Sequence, residues 1–293
     1  MDVAVVVNPG SGNDDRGSSP EQLTALFADR GRRATILPVR HGTTIAAQAR
    51  AAIASGCRVL VAAGGDGTVS AVGGVAVGGE VPLGVLPIGT LNHFAKDLGL
   101  PLELPEAADV VTGGTVRRVD VGEVNGRMFL NNSSLGVYPR IVELRARYGG
   151  RGRAKWVAAL WATLAVLRRQ PFLSVRIRTA DDDVVRRTPF VFVGNNEYRM
   201  SGLHGASRES LTGGKLAVYV MDASRRPSLL RLGWEVFRRG PEEVRELELL
   251  RVTEAVVETR RGALKVALDG EVVVLASPLE YRVRPQALPV LAP

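Results

Sequence analysis

The sequence predicts an N-terminal α/β domain built on a doubly wound parallel sheet, followed by a domain of mainly antiparallel strands. Three observations carry that expectation. Up to about residue 120, short apolar runs of strand character alternate with helical patterns. Three glycine-rich segments stand where strands give way to helices, which is where a parallel sheet carries its ligands. From about Val121 onward, strand follows strand with only turns between them.

In the first half, Asp2 to Val7 reads as a strand, Pro20 to Asp29 as a helix, Ala34 to Pro38 as a strand and Thr43 to Ser55 as a helix. Arg58 to Ala63 is again an apolar strand, and Thr68 to Val77 continues in small apolar residues as a helix. A short strand, Pro82 to Leu86, and a helix, Leu91 to Leu98, complete the alternation. In the second half Phe129 to Asn132, Phe172 to Arg178, Val184 to Val193 and Lys215 to Met221 have strand character. So do Leu247 to Glu258, Ala263 to Leu268 and Glu271 to Leu275, with helices only near 140–169 and 228–239. The run Asn131 to Ser134 reads as a turn at the domain junction, because Asn and Ser favour turns.

With 293 residues the chain is long enough for two cores, and 45% hydrophobic against 23% charged residues is a globular balance. The strand-like DVAVVVN begins directly after Met1 with no basic signal-like segment, which predicts a cytoplasmic protein. Cys57 is the single cysteine, so no internal disulfide forms, and a small packing role is expected of it. His41 and His204 lack cysteine or histidine partners at zinc spacing. The net charge of +8 calls for an anionic partner, such as a phosphorylated small molecule or an anionic membrane surface. Nucleic acid is disfavoured, since only 5% of residues are aromatic and no basic segment interleaves with aromatics.

The chemistry concentrates in the glycine-rich segments. Gly64-Gly65-Asp66-Gly67-Thr68-Val69-Ser70 follows an apolar strand and opens a helix, placing backbone N–H groups at a positive helix end suited to phosphate. Asn8-Pro9-Gly10-Ser11-Gly12 ends the first strand in the same way, and Gly89-Thr90-Leu91-Asn92 does so after Leu86-Pro87-Ile88. Neither of these two is a Walker A loop or a GxGxxG fingerprint. Ser11 and Thr90 would each serve as a helix N-cap on their own, but three such segments on successive strand ends of one sheet make a nucleotide pocket. A carboxylate pair, Asp269 and Glu271, brackets a glycine late in the chain. Asp-Gly is also a common hairpin turn, and Leu268 and Val272 flank it as strands would.

NPGSG, GGDGT, PIGTLNHFAKDLG and the late Ala267-Leu268-Asp269-Gly270-Glu271 together resemble the diacylglycerol kinase catalytic-domain family of lipid kinases, over nearly the whole chain. GGDGT alone is shared with NAD kinases and, more loosely, phosphofructokinases, so the order and spacing of all four segments carry the likeness. The resemblance implies a phosphofructokinase- and NAD-kinase-like first domain over residues 1–120, joined by 282–293, and a C-terminal β-sandwich over 121–281. It implies ATP bound in the cleft between them, and transfer of phosphate to a lipid hydroxyl.

Carried over by position, Asn8, Pro9, Gly10, Ser11 and Gly12 would contact phosphate or ribose, and Gly64 to Ser70 would wrap the triphosphate. Thr90 and Asn92 would line the nucleotide site, joined by Arg40, which sits near where the family often has a threonine. Either Asp269 or Glu271 would be the general base on the attacking hydroxyl. Family members commonly have Asn-Asp where this chain has Asn92-His93, and that aspartate joins those corresponding to Asp66 and Asp120 in a water and Mg2+ network. A further structural Mg2+ site of the family, on an Asp-Gly-x-Leu segment, meets Gly213-Gly214-Lys215-Leu216 here and is expected to be lost.

For the lipid side, Trp156, Leu160, Trp161, Leu164 and Leu167 recur at helical spacing between arginines and are too few to span a bilayer. Tryptophans with basic flanks suit docking on an anionic membrane surface, and a helix buried against the sandwich is the alternative. The expectation is an ATP- and Mg2+-dependent lipid kinase, cytoplasmic and peripherally membrane-associated, with edge strands that could pair into a homodimer. An NAD kinase and a non-catalytic nucleotide- or lipid-binding regulator are the alternatives.

Overall fold

A computed structural model describes residues 2–8, 19–39, 44–148, 172–200, 206–221 and 247–293. The chain divides into two compact units, one of Met1–Val121, Ser210–Gly213 and Arg284–Pro293, the other of Gly122–Glu209 and Gly214–Val283.

The first unit alternates β1 (Val3–Val7), α1 (Pro20–Ala28), β2 (Ala34–Pro38), α2 (Ile45–Ala54), β3 (Val59–Gly64), α3 (Asp66–Ala76), β4 (Leu83–Pro87), α4 (His93–Asp97), α5 (Leu104–Gly113) and the start of β5 (Thr115–Val124). Strands run in the order β2-β1-β3-β4, all parallel. VAVVV of β1 is buried throughout, as a central strand covered on both faces must be. On one face α1 and α5 pack together, and Leu23, Phe27, Ala107, Ala108 and Val111 meet Val3, Val5, Val61 and Leu86 of the strands. On the other face α2 packs with α3. Helix α1 starts from a reciprocal capping box in which the Ser19 hydroxyl accepts from Gln22 N–H and the Gln22 side chain accepts from Ser19 N–H.

The second unit continues through β6 (Arg127–Phe129), β7 (Asn132–Gly136), α6 (Val137–Tyr148), β8 (Leu173–Arg178), β9 (Asp183–Thr188), β10 (Phe190–Asn195), β11 (Tyr198–Met200), β12 (Ala206–Arg208), β13 (Leu216–Met221), β14 (Leu247–Val252), β15 (Glu254–Thr259), β16 (Ala263–Leu268), β17 (Glu271–Ala276) and β18 (Leu279–Ala292), whose last part belongs to the first unit. One antiparallel sheet runs β14-β13-β10-β7-β16-β17. In another, β15 lies between the first half of β18 and β8, and β9 follows β8. Leu135, Val191, Val193, Val218 and Val266 of the first sheet share a core with Val175, Ile177, Val257 and Tyr281 of the second, so the unit is a β-sandwich. Inside it the Ser133 and Tyr281 hydroxyls share a hydrogen bond at 2.9 Å, and burial pushes the Tyr281 phenol up.

The fold class expected from the sequence is the one observed, with local differences. Asn132 to Ser134 form not a turn but part of β7, a strand between β10 and β16, and they are half-buried or buried. Ser133 is tolerated there because its hydroxyl finds Tyr281. The expected strand Val184 to Val193 is two strands, β9 and β10, one in each sheet, and Leu247 to Glu258 likewise divides into β14 and β15. Helix α5 and strand β5 were not expected, and the returning last segment expected at 282–293 is part of the longer strand β18, which starts at Leu279. The helix expected at 140–169 begins at Val137 and is described only to Tyr148, and the one at 228–239 lies outside the described residues, as do Trp156 to Leu167. Among the described residues no helix is long and apolar enough to cross a membrane.

Gly122 pairs with Phe129 across β5 and β6, and a Cβ there would stand 2.2 Å from the Phe129 ring. The ring occupies the space a side chain would need. Gly122→Ala is therefore expected to lower the unfolding free energy by about 1–3 kcal/mol, the usual range for overpacking, measured by denaturant titration.

Candidate functional site

In the first unit the parallel register aligns the strand ends: Val7 stands beside Ala63, and Gly64 beside Pro87. The glycine-rich turns therefore leave the sheet along the same edge. Asn8, half-buried, donates its N–H to Ala63 O at 3.3 Å and continues that line from β1. Pro9 to Gly12 and Arg40 lie outside the described residues.

The turns after β3 and β4 touch. A Cβ on Gly89 would fall 2.4 Å from Gly65 Cα and 2.7 Å from Asn92 Oδ1, so the two backbones approach at a distance only glycine permits. Gly64 is needed for a second reason, since its Cβ would lie 2.5 Å from the side chain of Thr68, which is buried. Helix α3 starts on Gly65 with no side-chain cap, and while Thr68 N–H donates to Gly65 O at 2.9 Å, the Asp66 and Gly67 amides of the first turn are available to a ligand. Gly67 is exposed, and a Cβ on it would meet nothing within 4 Å. The helix starts two residues before the expected Thr68, so Asp66 and Gly67 form its first turn.

Asp66 also ties this turn to the next. Its Oδ1 accepts the Phe94 N–H at 3.1 Å, capping α4 from the first turn of α3. Asn92, not Thr90, occupies the N-cap position of α4; it adopts a left-handed backbone (φ 51°) and makes no side-chain cap bond of its own. Its Nδ2 donates back to Pro87 O at 3.2 Å and Gly89 O at 2.8 Å, so it braces the turn. Thr90 and His93 are exposed, while Val69 is buried in the core and Ser70 half-buried.

Asp120 is 1% exposed, its Oδ1 accepts the Gln286 N–H at 2.9 Å, and its own N–H donates to Leu211 O at 2.8 Å. It fastens the segments 210–213 and 284–293 to β5. Among the described residues no group of three or more His, Cys, Asp or Glu gathers. Carboxylate oxygens are the donors Mg2+ prefers, and one or two of them complete a site together with phosphate oxygens and water. Asp66, half-buried beside the open helix start, meets that requirement. Burial pushes the Cys57 thiol up, which fits a packing role.

In the second unit the hairpin β16–β17 turns on Asp269 and Gly270, both at positive φ (47° and 86°). The Asp269 carboxylate accepts three backbone N–H groups: Leu130 at 2.7 Å to Oδ2, and Asn131 at 2.8 Å and Asn132 at 2.9 Å to Oδ1. Its own N–H donates to Asn132 O at 2.9 Å. Glu271, two residues on, is exposed, and its carboxylate holds no hydrogen bond among the described residues. The two acids thus differ sharply: one is consumed by backbone amides, the other is open to a substrate.

Behind this tip stands an arginine that the sequence did not single out. Arg208 is 5% exposed and donates to Leu130 O at 2.5 Å, Asn195 O at 3.3 Å and Asn131 Oδ1 at 2.8 Å. Asn195 Nδ2 adds a further bond to Leu130 O at 2.9 Å. No local pattern marks such a residue, because its partners are 77 and 78 positions away.

Residues 2–124 match the diacylglycerol kinase catalytic domain, and residues 140–292 match the YegS C-terminal NAD kinase beta sandwich-like domain. The diacylglycerol kinase of Mycobacterium tuberculosis (strain H37Rv) is 30% identical over 303 residues, covering 99% of this chain and 95% of that protein. The diacylglycerol kinase of Bacillus subtilis is 38% identical over 147 residues, 48% of this chain and 46% of that one. A crystal structure of a diacylglycerol kinase from Bacillus anthracis strain Sterne shares the fold with a TM-score of 0.71 at 22% identity, covering 100% of this chain and 97% of that chain. The chain belongs to the diacylglycerol kinase family of lipid kinases and is a phosphotransferase.

Removing the Asp269 carboxylate leaves three backbone amides without their acceptor. Asp269→Ala is expected to lower the unfolding free energy by about 2–4 kcal/mol. Glu271→Ala, at an exposed position, is expected to change it by less than about 0.5 kcal/mol, both read by thermal or denaturant unfolding.

Proposed function

We propose that the protein is an ATP-dependent lipid kinase that transfers the γ-phosphoryl group of ATP to a hydroxyl of a lipid such as diacylglycerol. The observation that carries the proposal is the pair of glycine turns after β3 and β4, closed on each other at Gly65 and Gly89 beside the uncapped start of α3. Backbone N–H groups and a helix dipole at a surface without Cβ atoms suit phosphate oxygens. Asn8 to Gly12, Gly64 to Ser70, Arg40, Thr90 and Asn92 are assigned to the nucleotide.

Mg2+, when bound, would neutralise charge on the phosphates. Asp66 would hold it, and Asp120 supports the unit from within. Glu271 is the general base: it accepts the proton of the acceptor hydroxyl as that oxygen bonds to the γ-phosphorus and the bond from phosphorus to the β-phosphate oxygen breaks. Asp269 is disfavoured as the base, because its carboxylate already accepts three backbone amides and its charge is spread over them. The +8 charge favours an anionic membrane surface as the place where the lipid is met, which makes the protein cytoplasmic and peripherally membrane-associated.

Incubating purified protein with γ-labelled ATP, Mg2+ and total membrane lipid is expected to give a labelled lipid phosphomonoester. Glu271→Gln should lower kcat by about 10²–10⁴-fold with the KM for ATP unchanged. Label passing to NAD in place of lipid, or ATP binding without transfer to any lipid, would overturn the proposal. Gly89→Ala, forced against the Gly65 backbone, is expected to abolish ATP binding by calorimetry while the second unit keeps its fold.

A further inference from the structure

Ser134 stands in the middle of β7, between Ser133 and Leu135, which both point into the sandwich core. Its own side chain therefore lies on the outer face of the sheet β14-β13-β10-β7-β16-β17. It is 1% exposed, yet its hydroxyl has no hydrogen-bond partner among the described residues. Buried hydroxyls are almost always paired, so an unpaired one calls for an account. Packing alone supplies none, since alanine would fill the place without burying a polar group.

The neighbours show what this hydroxyl faces. In register across the sheet, Tyr219, Phe192, Ser134, Ala267 and Val272 form one row on the outer face. Large side chains flank the row and small ones hold its middle, which makes a trough with Ser134 and Ala267 as its floor. Helix α6 packs against β7, β16 and β17 on this side, pinned by the ion pair of Glu143 with Lys265 at 2.6 Å, two residues along β16 from Ala267. The other polar side chain of the row, Tyr219, has its hydroxyl taken up by the backbone of Tyr198. Water held in the trough would need several polar partners and finds one. An oxygen carried on an apolar skeleton needs only that one. The row ends at Val272, the neighbour of Glu271, two strand spacings or about 10 Å from Ser134.

We propose that Ser134 is a specificity-determining residue, whose Oγ–H donates to an ester carbonyl oxygen of a glycerolipid acceptor seated in this trough; this rests on the lipid kinase reading. The reacting hydroxyl must lie against Glu271, so the oxygen that Ser134 meets is a different one. In a diacylglycerol the ester carbonyls stand a few bonds from the free hydroxyl on an otherwise apolar molecule. A neutral hydroxyl suits a neutral carbonyl, whereas a charged head group would call for a cation.

The test uses the full chain with ATP, Mg2+ and dioctanoylglycerol in detergent micelles. Ser134→Ala is expected to raise the KM for dioctanoylglycerol about fivefold, the worth of one neutral hydrogen bond, with the KM for ATP unchanged. Its melting temperature should hold or rise, because the variant removes a buried hydroxyl that lacks a partner, whereas loss of a merely structural serine would lower it. With dioctylglycerol, the diether without carbonyls, wild type and Ser134→Ala should have the same KM. Ser134→Val raises the floor of the trough and should weaken binding of both lipids to the Glu271→Gln protein in calorimetry while ATP binding stays. An acceptor KM unchanged by Ser134→Ala, an equal rise with ester and ether, or a lowered melting temperature would overturn the proposal. If wild-type protein transfers phosphate to no lipid, the kinase reading fails, and calorimetry with Ser134→Val still decides whether the trough takes lipid.

Discussion

The second unit depends on one carboxylate that gathers a loop. Asp269 sits at a backbone conformation that costs energy for most residues but is tolerated by Asp and Asn, and there it accepts from three consecutive amides. Those amides belong to the break between β6 and β7, where the chain changes course and its N–H groups lose their sheet partners. Without an anion at that place, the loop would have to find water for buried donors. With it, the hairpin tip, the loop and the buried Arg208 become a single rigid body. Rigidity of this kind is what an active site needs, because orientation errors of an ångström are costly in rate.

The first unit solves a related problem with the opposite material. Where the second unit satisfies a strained loop by adding charge, the first removes side chains altogether, so that the turns after β3 and β4 can lie backbone against backbone at Gly65 and Gly89. Asp66 reaches across the same junction to Phe94 N–H, so each turn helps define the next.

Much of this was legible in the sequence, and the boundary of what was legible is physical. The apolar runs ending in glycines announced strands of a parallel sheet, because burial on both faces leaves little room for polar residues and a ligand edge needs glycine. The late Asp-Gly-Glu was readable as a hairpin, and as chemistry through a family likeness. What distinguishes Asp269 from Glu271 was not readable, since it depends on amides 137 to 139 residues away. Arg208 was hidden for the same reason. Strand β7 looked like a turn because Asn and Ser dominate it, and only the Tyr281 hydroxyl explains how Ser133 can sit inside a core. Pro285 and Pro289 interrupt the pattern that marks a strand, so only the end of β18 was legible, and that through the family likeness.

Strand β18 carries one more implication. Its first residues, Leu279 to Val283, complete the sandwich beside β15, while Arg284–Pro293 belongs to the first unit, where Val290 runs parallel beside Leu83 of β4. The α/β layer, although encoded first, therefore waits for a segment synthesised after the entire sandwich. Until that segment arrives, β4 keeps an open border on the side that Val290 will occupy.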